Sequence, residues 1–153
     1  MKDPRPCSIA ATLALVGEKY SLLILREVSL GATRFDQLAR NIGAPRDVLT
    51  TRLKRLVDAG LLEKAEYSDR PKRYEYRPTR AGLELSPVLM MLMSWGDRHL
   101  QEDGFRPMVL EHDCGHELVP QVVCRECGDR VEHESLTARP QAPGWTVTGP
   151  VSQ

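Results

Sequence analysis

Three of the four cysteines and two of the four histidines in this 153-residue chain fall within EHDCGHELVPQVVCRECGDRV, residues 111–131. Cys124 and Cys127 form a C-x-x-C-G turn, which brings two thiolates to bear on one cation. Cys114 opens a shorter C-G turn, with His112 and His116 two residues away on either side. Three thiolates and one imidazole make a tetrahedral zinc set, so Cys114, His116, Cys124 and Cys127 are assigned as ligands, with His112 the alternative to His116. Four protein donors leave no open position for water, so the zinc would be structural. The first turn is irregular, because such turns usually place two residues between ligands. A metal-free hairpin whose cysteines pack or pair, and a site that has lost its metal, remain as alternatives. Cys7 stands apart, near Arg5 and just before a helix start at Ser8. That setting favours a thiolate, although a lone Cys is commonly a packing residue.

Anion recognition is the second chemistry on offer. In GAPRDVLTTRLKRLVDAGLL, residues 43–62, Leu49, Leu53, Leu56 and Val57 follow the spacing of one helical stripe. Pro45 suits the first turn, and Gly60 suits the left-handed residue just past the end. Opposite the stripe lie Asp47, Thr51, Lys54, Arg55 and Asp58, flanked by Arg46, Thr50 and Arg52. On a helix of this size Arg can reach guanine edges or phosphates in a DNA major groove, and Thr can donate to phosphate oxygens. Taken alone, this is also the pattern of an ordinary amphipathic surface helix, so its neighbours must decide.

Those neighbours are three shorter helices. One is capped at Ser8 and runs through Ile9, Leu13 and Val16 to Gly17. The next, YSLLILREVSL, is apolar enough to predict burial on most sides. The third, RFDQLARNIG, carries Phe35, Leu38 and Ile42 and ends at Gly43. Leu61–Tyr67 and Arg73–Arg77 partly alternate as half-buried strands, around a basic tip, Ser68-Asp69-Arg70-Pro71-Lys72. The prediction is a mainly α fold with a small β-hairpin, a winged helix-turn-helix. Beyond it Thr79 caps a helix that Pro87 kinks or restarts, with Ser86 as a new cap. Leu85, Val88, Leu89, Leu92, Trp95 and His99 form its apolar seam, with Met90, Met91 and Met93 beside them. So much apolar surface predicts a subunit interface shared with the first helix.

The charge sums to zero, unevenly. Residues 1–100 hold 17 Lys and Arg against 12 Asp and Glu, and residues 101–153 hold 4 against 9. A basic body therefore carries an acidic end. The predicted organisation is 1–102 for DNA binding and dimerisation, 103–133 for a Cys/His ribbon-like hairpin, and 134–153 for a flexible tail rich in Pro and Gly. No apolar run reaches membrane-span length, and the polar start MKDPRP is no signal peptide, so a cytoplasmic protein is expected.

The runs CSIAATLALVGEKYSLLILREVSLGATRFDQL, LTTRLKRLVDAGLLEKAEY and PKRYEYRPTRAGLELSPVLMMLMSWG together resemble the HxlR-type winged-helix transcriptional regulators from about Cys7 to Gly96. The specific features are the N-terminal Cys, Gly-x-x-Arg-Phe at Gly31–Phe35, Leu-Thr-x-Arg-Leu at Leu49–Leu53, and the Pro-Val-Leu…Trp-Gly helix. The resemblance implies a homodimer held by its first and last helices on palindromic operator DNA, usually as a repressor. It further implies an oxidant- or electrophile-sensing role for Cys7. Two positions depart from the pattern. Tyr20 stands where the family usually has Trp. Ala44 stands where it favours Ser, and losing that cap would cost about 0.5–2 kcal/mol.

The residues expected on DNA are Arg46, Thr50, Thr51, Lys54 and Arg55 in the groove and on its walls. Arg34 and Arg52 are expected on phosphates, an internal ion pair being the other role open to such an Arg. Arg70, Lys72 and Arg73 are expected on the wing. A small-molecule or oxidant effector is the other expected partner. The competing function is a protein-interaction module that uses the zinc-ribbon-like end on a winged-helix scaffold. No nucleophile with a nearby base and no phosphate-cradling glycine loop points to an enzyme.

Overall fold

A computed structural model describes residues 5–151; Met1–Pro4 of the polar start and Ser152–Gln153 of the tail lie outside the described residues. Its elements are α1 (Ser8–Val16), α2 (Ser21–Ser29), α3 (Phe35–Ile42), α4 (Arg46–Asp58), β1 (Leu62–Asp69), β2 (Lys72–Pro78), α5 (Arg80–Leu83) and α6 (Ser86–His99), with a 3-10 turn at His133–Ser135. Contacts divide the chain into two compact units, Thr12–Pro120 and a second formed by Met1–Ala11 with Gln121–Gln153.

In the larger unit the core forms where α2, α3 and α4 present their apolar stripes. Ile24, Leu38, Leu49, Leu53 and Leu56 are fully shielded from water, and Leu25, Val28 and Leu62 nearly so. α4 ends as its sequence predicts. Gly60 takes φ 71°, Leu61 N–H bonds to Leu56 O, and Gly60 N–H bonds to Val57 O. These two bonds satisfy the last carbonyls and fold Leu61 back onto the core. At the other end Pro45, with φ −55° and ψ 142°, is the residue before the first turn rather than within it. Ala44 precedes that cap and is buried, so its methyl packs in the core where a lost capping hydroxyl was expected. Tyr20 is half-buried and takes φ 79° at the entry to α2, with Lys19 Nζ 4.9 Å from its ring.

α2 departs from the prediction of burial on most sides. Leu23 and Leu30 are 38% and 47% exposed. They line an apolar groove of about 750 Å³ against Leu89, Met90 and Met93 of α6, so this face of α2 looks into a cleft rather than into packed core. Buried Glu27, unnoticed in the sequence, joins α2 to α3. Its carboxylate accepts from Asn41 Nδ2 at 2.7 Å and from Arg26 Nε at 2.9 Å.

β1 and β2 pair antiparallel with an irregularity at Tyr67. Tyr76 N–H donates to Thr33 O at 2.8 Å, which stitches the segment before α3 to the hairpin. Thr79 caps α5 as predicted, its Oγ1 accepting from Gly82 N–H and donating to Gly60 O. The predicted break at Pro87 is real: α5 stops and α6 starts afresh. The residue capping α6 is Leu85 without a side-chain bond, and Ser86 is the first helical residue.

Beyond α6, LVPQVV does not pair as one hairpin. Each cysteine turn closes on itself, through the bridges Glu111↔Glu117 and Val123↔Arg130. Within the smaller unit the tail turns back at Trp145↔Pro150, and the Arg5 guanidinium donates to Val147 O at 3.0 Å.

A Cβ on Gly82 would lie 2.1 Å from Leu61 O. Gly82→Ala must therefore push α5 off the hairpin base. A loss of about 1–3 kcal/mol in chemical denaturation is expected.

Candidate nucleic-acid interface

Burying Leu49, Leu53 and Leu56 turns the opposite face of α4 to water, and the predicted side chains there divide into two groups. Arg46, Thr50, Thr51 and Lys54 are exposed. The Arg46 guanidinium lies 4.7 Å from the centre of the Phe35 ring and 2.9 Å from Asp36 Oδ1. Lys54 Nζ is 2.5 Å from Asp58 Oδ2, one helical turn on. Both pairs are solvent-exposed, where an ion pair contributes about 0–1 kcal/mol, so each cation can exchange its carboxylate for a phosphate at little cost. The hydroxyls of Thr50 and Thr51 donate to Arg46 O and Asp47 O at 2.8 and 2.9 Å. Each must rotate away from its carbonyl before it can donate to a phosphate.

Arg52 and Arg55 form the second group and turn the other way. Both pair with Glu18 in the segment between α1 and α2, and Arg55 Nη2 also donates to Ala14 O at 2.7 Å. Arg52 is the more enclosed, and its Nε is buried without a hydrogen-bond partner. The internal ion pair, named in the sequence as the other role open to Arg52, is the arrangement found, and Arg55 shares it. Glu18 itself gave no sequence signal, because its partners lie more than thirty residues away.

The hairpin carries the rest. Arg70, Lys72 and Arg73 are exposed at its tip. Lys72 Nζ approaches Glu66 only to 3.9 Å, and among the described residues no ion pair involves Arg70 or Arg73. Nearer the base, cations lie over aromatic rings, with Arg34 4.8 Å from Tyr67 and Lys64 4.1 Å from Tyr74. Arg34 also precedes α3, its backbone N–H donating to Gln37 Oε1 at 3.0 Å. Burial raises the Tyr76 phenol above its ordinary pKa.

The two cysteine turns belong to different units. In the smaller one Cys124 and Cys127 come together. Cys124 sulfur accepts hydrogen bonds from the backbone N–H of Cys127, the backbone N–H of Glu126 and the Cys127 thiol, in decreasing order of effect, and these hold its thiol below the usual value. In the larger unit His116 Nδ1 lies 3.1 Å from Cys114 O, and Cys114 N–H donates to His112 Nδ1 at 3.2 Å. Among the described residues no group of three or more His, Cys, Asp or Glu is assembled as a metal site. Cys7 is exposed, in a groove of about 720 Å³ bordered by Arg5, Pro140, Pro143 and Val147 of its own unit.

A three-helix core whose outer helix presents cations beside a basic two-stranded hairpin defines a winged-helix DNA-binding protein. The model of the HxlR-like helix-turn-helix family matches residues 15–104, and the chain belongs to that family. An HTH-type transcriptional regulator of Mycobacterium tuberculosis is 43% identical over 139 residues, covering 90% of this chain and 87% of the relative. The crystal structure of the transcription factor PA1607 superposes with a TM-score of 0.77 at 27% identity, over 87% of this chain and 94% of that one. The redox regulator HypR in its oxidised form gives 0.54 at 25% identity, over 61% and 97%. This chain is a DNA-binding transcriptional regulator. Among the described residues no single helix is long and apolar enough to cross a membrane.

Removing the Glu18 charge tests the division within α4. Glu18→Gln should lower stability by about 1–2 kcal/mol, less at high salt, because it strands two guanidinium groups. Asp58→Asn, which frees only exposed Lys54, should change it by less than about 0.5 kcal/mol. Thermal or urea unfolding of the two variants reads the contrast directly.

Proposed function

We propose that this chain acts in the cytoplasm as a homodimeric repressor that reads a palindromic operator and releases it when Cys7 is modified. α4 enters the major groove with Arg46, Thr50, Thr51 and Lys54, while Arg70, Lys72 and Arg73 on the hairpin tip hold phosphate or reach the adjacent minor groove. Arg34 lies near a phosphate path at the hairpin base. Arg52 and Arg55 hold α4 in position through Glu18 instead of touching DNA. The observation that carries this reading is the set of exposed cations on α4 and the hairpin tip, held by one core.

The dimer rests on α6. In its fourteen residues none is buried, and Val88, Leu92 and Trp95 are each about half exposed along one stripe. α1 offers a matching stripe, with Ile9 71% and Leu13 51% exposed. A two-fold pair would cover both and place two α4 helices on successive half-sites.

The redox branch rests on the exposed thiol in a groove directly before α1, and on the likeness to HypR, a redox regulator. Addition of the Cys7 thiolate to a quinone forms an S–C bond, and attack on a peroxide gives a sulfenic acid with release of water or an alcohol. Either places a bulky or polar group at the head of a helix the dimer uses.

Selection of bound sequences from random DNA, followed by gel shifts across a salt series, tests the operator reading. Binding should need two chains per site and weaken steeply with salt. Thr51→Ala with Lys54→Ala should weaken it without lowering thermal stability much. Arg70→Ala and Arg73→Ala should each reduce the slope of log affinity against log salt by about 1. Unchanged affinity in all of them refutes the interface. Quinone or peroxide should weaken operator binding by the wild type and spare Cys7→Ser; equal loss in both removes the sensor.

A further inference from the structure

The groove between α2 and α6, within the larger unit, belongs neither to the DNA face nor to the apolar stripe offered for dimerisation. We propose that it is a binding site for a lipophilic monocation of drug size, an aromatic or alkyl ammonium or phosphonium ion whose charge is met by Asp97.

Three segments build the groove. α2 supplies Leu23 and Leu30, α6 supplies Met90 and Met93, and Pro107 and Met108 close the far side. Its volume of about 750 Å³ falls within the roughly 300–1,000 Å³ of small-molecule pockets. The third wall lies past residue 104, where the family match ends. It is braced by its own turn, in which Arg106 Nη2 donates to Glu117 Oε2 at 3.0 Å and Leu118 N–H to Leu110 O at 2.8 Å. Methionine is flexible and polarisable, so a wall made from it adapts to apolar bodies of different outline.

Helical geometry separates this face from the dimer stripe. At about 100° per residue, Leu89, Met90, Met93 and Asp97 of α6 point one way. Val88, Trp95 and His99 point nearly the opposite way, with Leu92 on the border. A ligand in the groove and a second copy on the stripe share only that border.

The sign of the ligand's charge follows from the two ionic residues that line the groove, Arg26 and Asp97. The Arg26 guanidinium is already answered, since its Nε donates to Glu27 Oε1 at 2.9 Å and Glu27 is buried. Drawing it toward a ligand anion would leave that carboxylate short of a partner inside the protein. Asp97 has no such commitment. Its neighbour Arg98 donates to Ser94 Oγ at 2.8 Å, and among the described residues no hydrogen bond or ion pair involves the Asp97 carboxylate. Asp97 also lies in the last turn of α6, where the helix dipole adds negative potential. One neutralised cation and one uncommitted carboxylate on apolar walls favour a positive ligand and disfavour an anion.

The test is equilibrium dialysis of the full chain, in sodium buffer, against tetraphenylphosphonium and tetraphenylborate, ions of one shape and opposite charge. One tetraphenylphosphonium should bind per chain, and the borate at least about tenfold more weakly. Asp97→Asn should lower affinity for the phosphonium by about five- to tenfold and narrow the gap between the two ions. Asp58→Asn, the same charge change on α4, should leave both affinities unaltered. Met93→Trp, which fills the groove, should abolish uptake. Circular dichroism shows that each variant is folded, and sedimentation gives its assembly. Equal affinity for the two ions, or phosphonium binding unchanged in Asp97→Asn, overturns the proposal. So does a wild type that takes up no phosphonium; a fall in sedimenting mass in Met93→Trp then identifies a second copy as the occupant. None of these outcomes bears on the operator reading, which the gel shifts decide.

Discussion

The peptide groups of Leu61 are where the reading helix, the hairpin and α5 are joined. Its N–H closes the end of α4 on Leu56 O, while its carbonyl receives Thr79 N–H at 3.1 Å and is approached closely by Gly82. Its side chain is buried beside Leu62. Because one residue satisfies all of these, the angle at which the hairpin leaves α4 is set by backbone bonds inside the core. The basic tip therefore keeps a fixed place relative to the helix face, without any contact between Arg70 or Arg73 and α4. Two surfaces that must meet one duplex need this kind of tie, since phosphate contacts reward only groups already held in register.

On the outer face the electrostatics are balanced differently. Asp36 and Asp58 sit against Arg46 and Lys54, which offsets the local positive charge when no anion is present. The cost of that pairing is small because it is made in water. The pairing of Arg52 and Arg55 with Glu18 is made where the side chains are partly shielded, Arg52 being 22% exposed, so these charges are less free to move to another partner. A helix thus carries two kinds of arginine with similar spacing from the apolar stripe and different partners. The stripe decides which: Arg52 and Arg55 lie toward α1, and Arg46 projects past Phe35.

That distinction marks the limit of what the chain spells out. Helix positions, the left-handed Gly60, the Thr79 cap and the restart at Pro87 were legible because each depends on residues within a turn of one another. The cap at Pro45 was displaced by one residue, since Ala44 is drawn into the core, a tertiary effect. α2 was misjudged in its exposure because continuous apolarity cannot tell a packed face from one lining a cleft. Glu18 and Glu27 were invisible, as their partners are distant in sequence.

α6 raises a question of energetics that the fold of one chain leaves open. An isolated helix of fourteen residues is marginal in water, and among the described residues of α6 it is the partly exposed Leu89 that packs on the core, next to the capping residue Leu85. The remaining apolar residues, Val88, Leu92 and Trp95 among them, gain little by staying in a monomer. In the proposed dimer their burial supplies what α6 lacks, so the helix and the assembly stabilise together and neither is independent of protein concentration. A modification at Cys7, at the head of α1, would then act on this shared interface and not on the cations that touch DNA. Under that proposal, control exerted there would change how two intact reading heads are spaced. It would leave the chemistry of either head unaltered, so a sensor thiol would need no contact with the residues proposed to meet DNA.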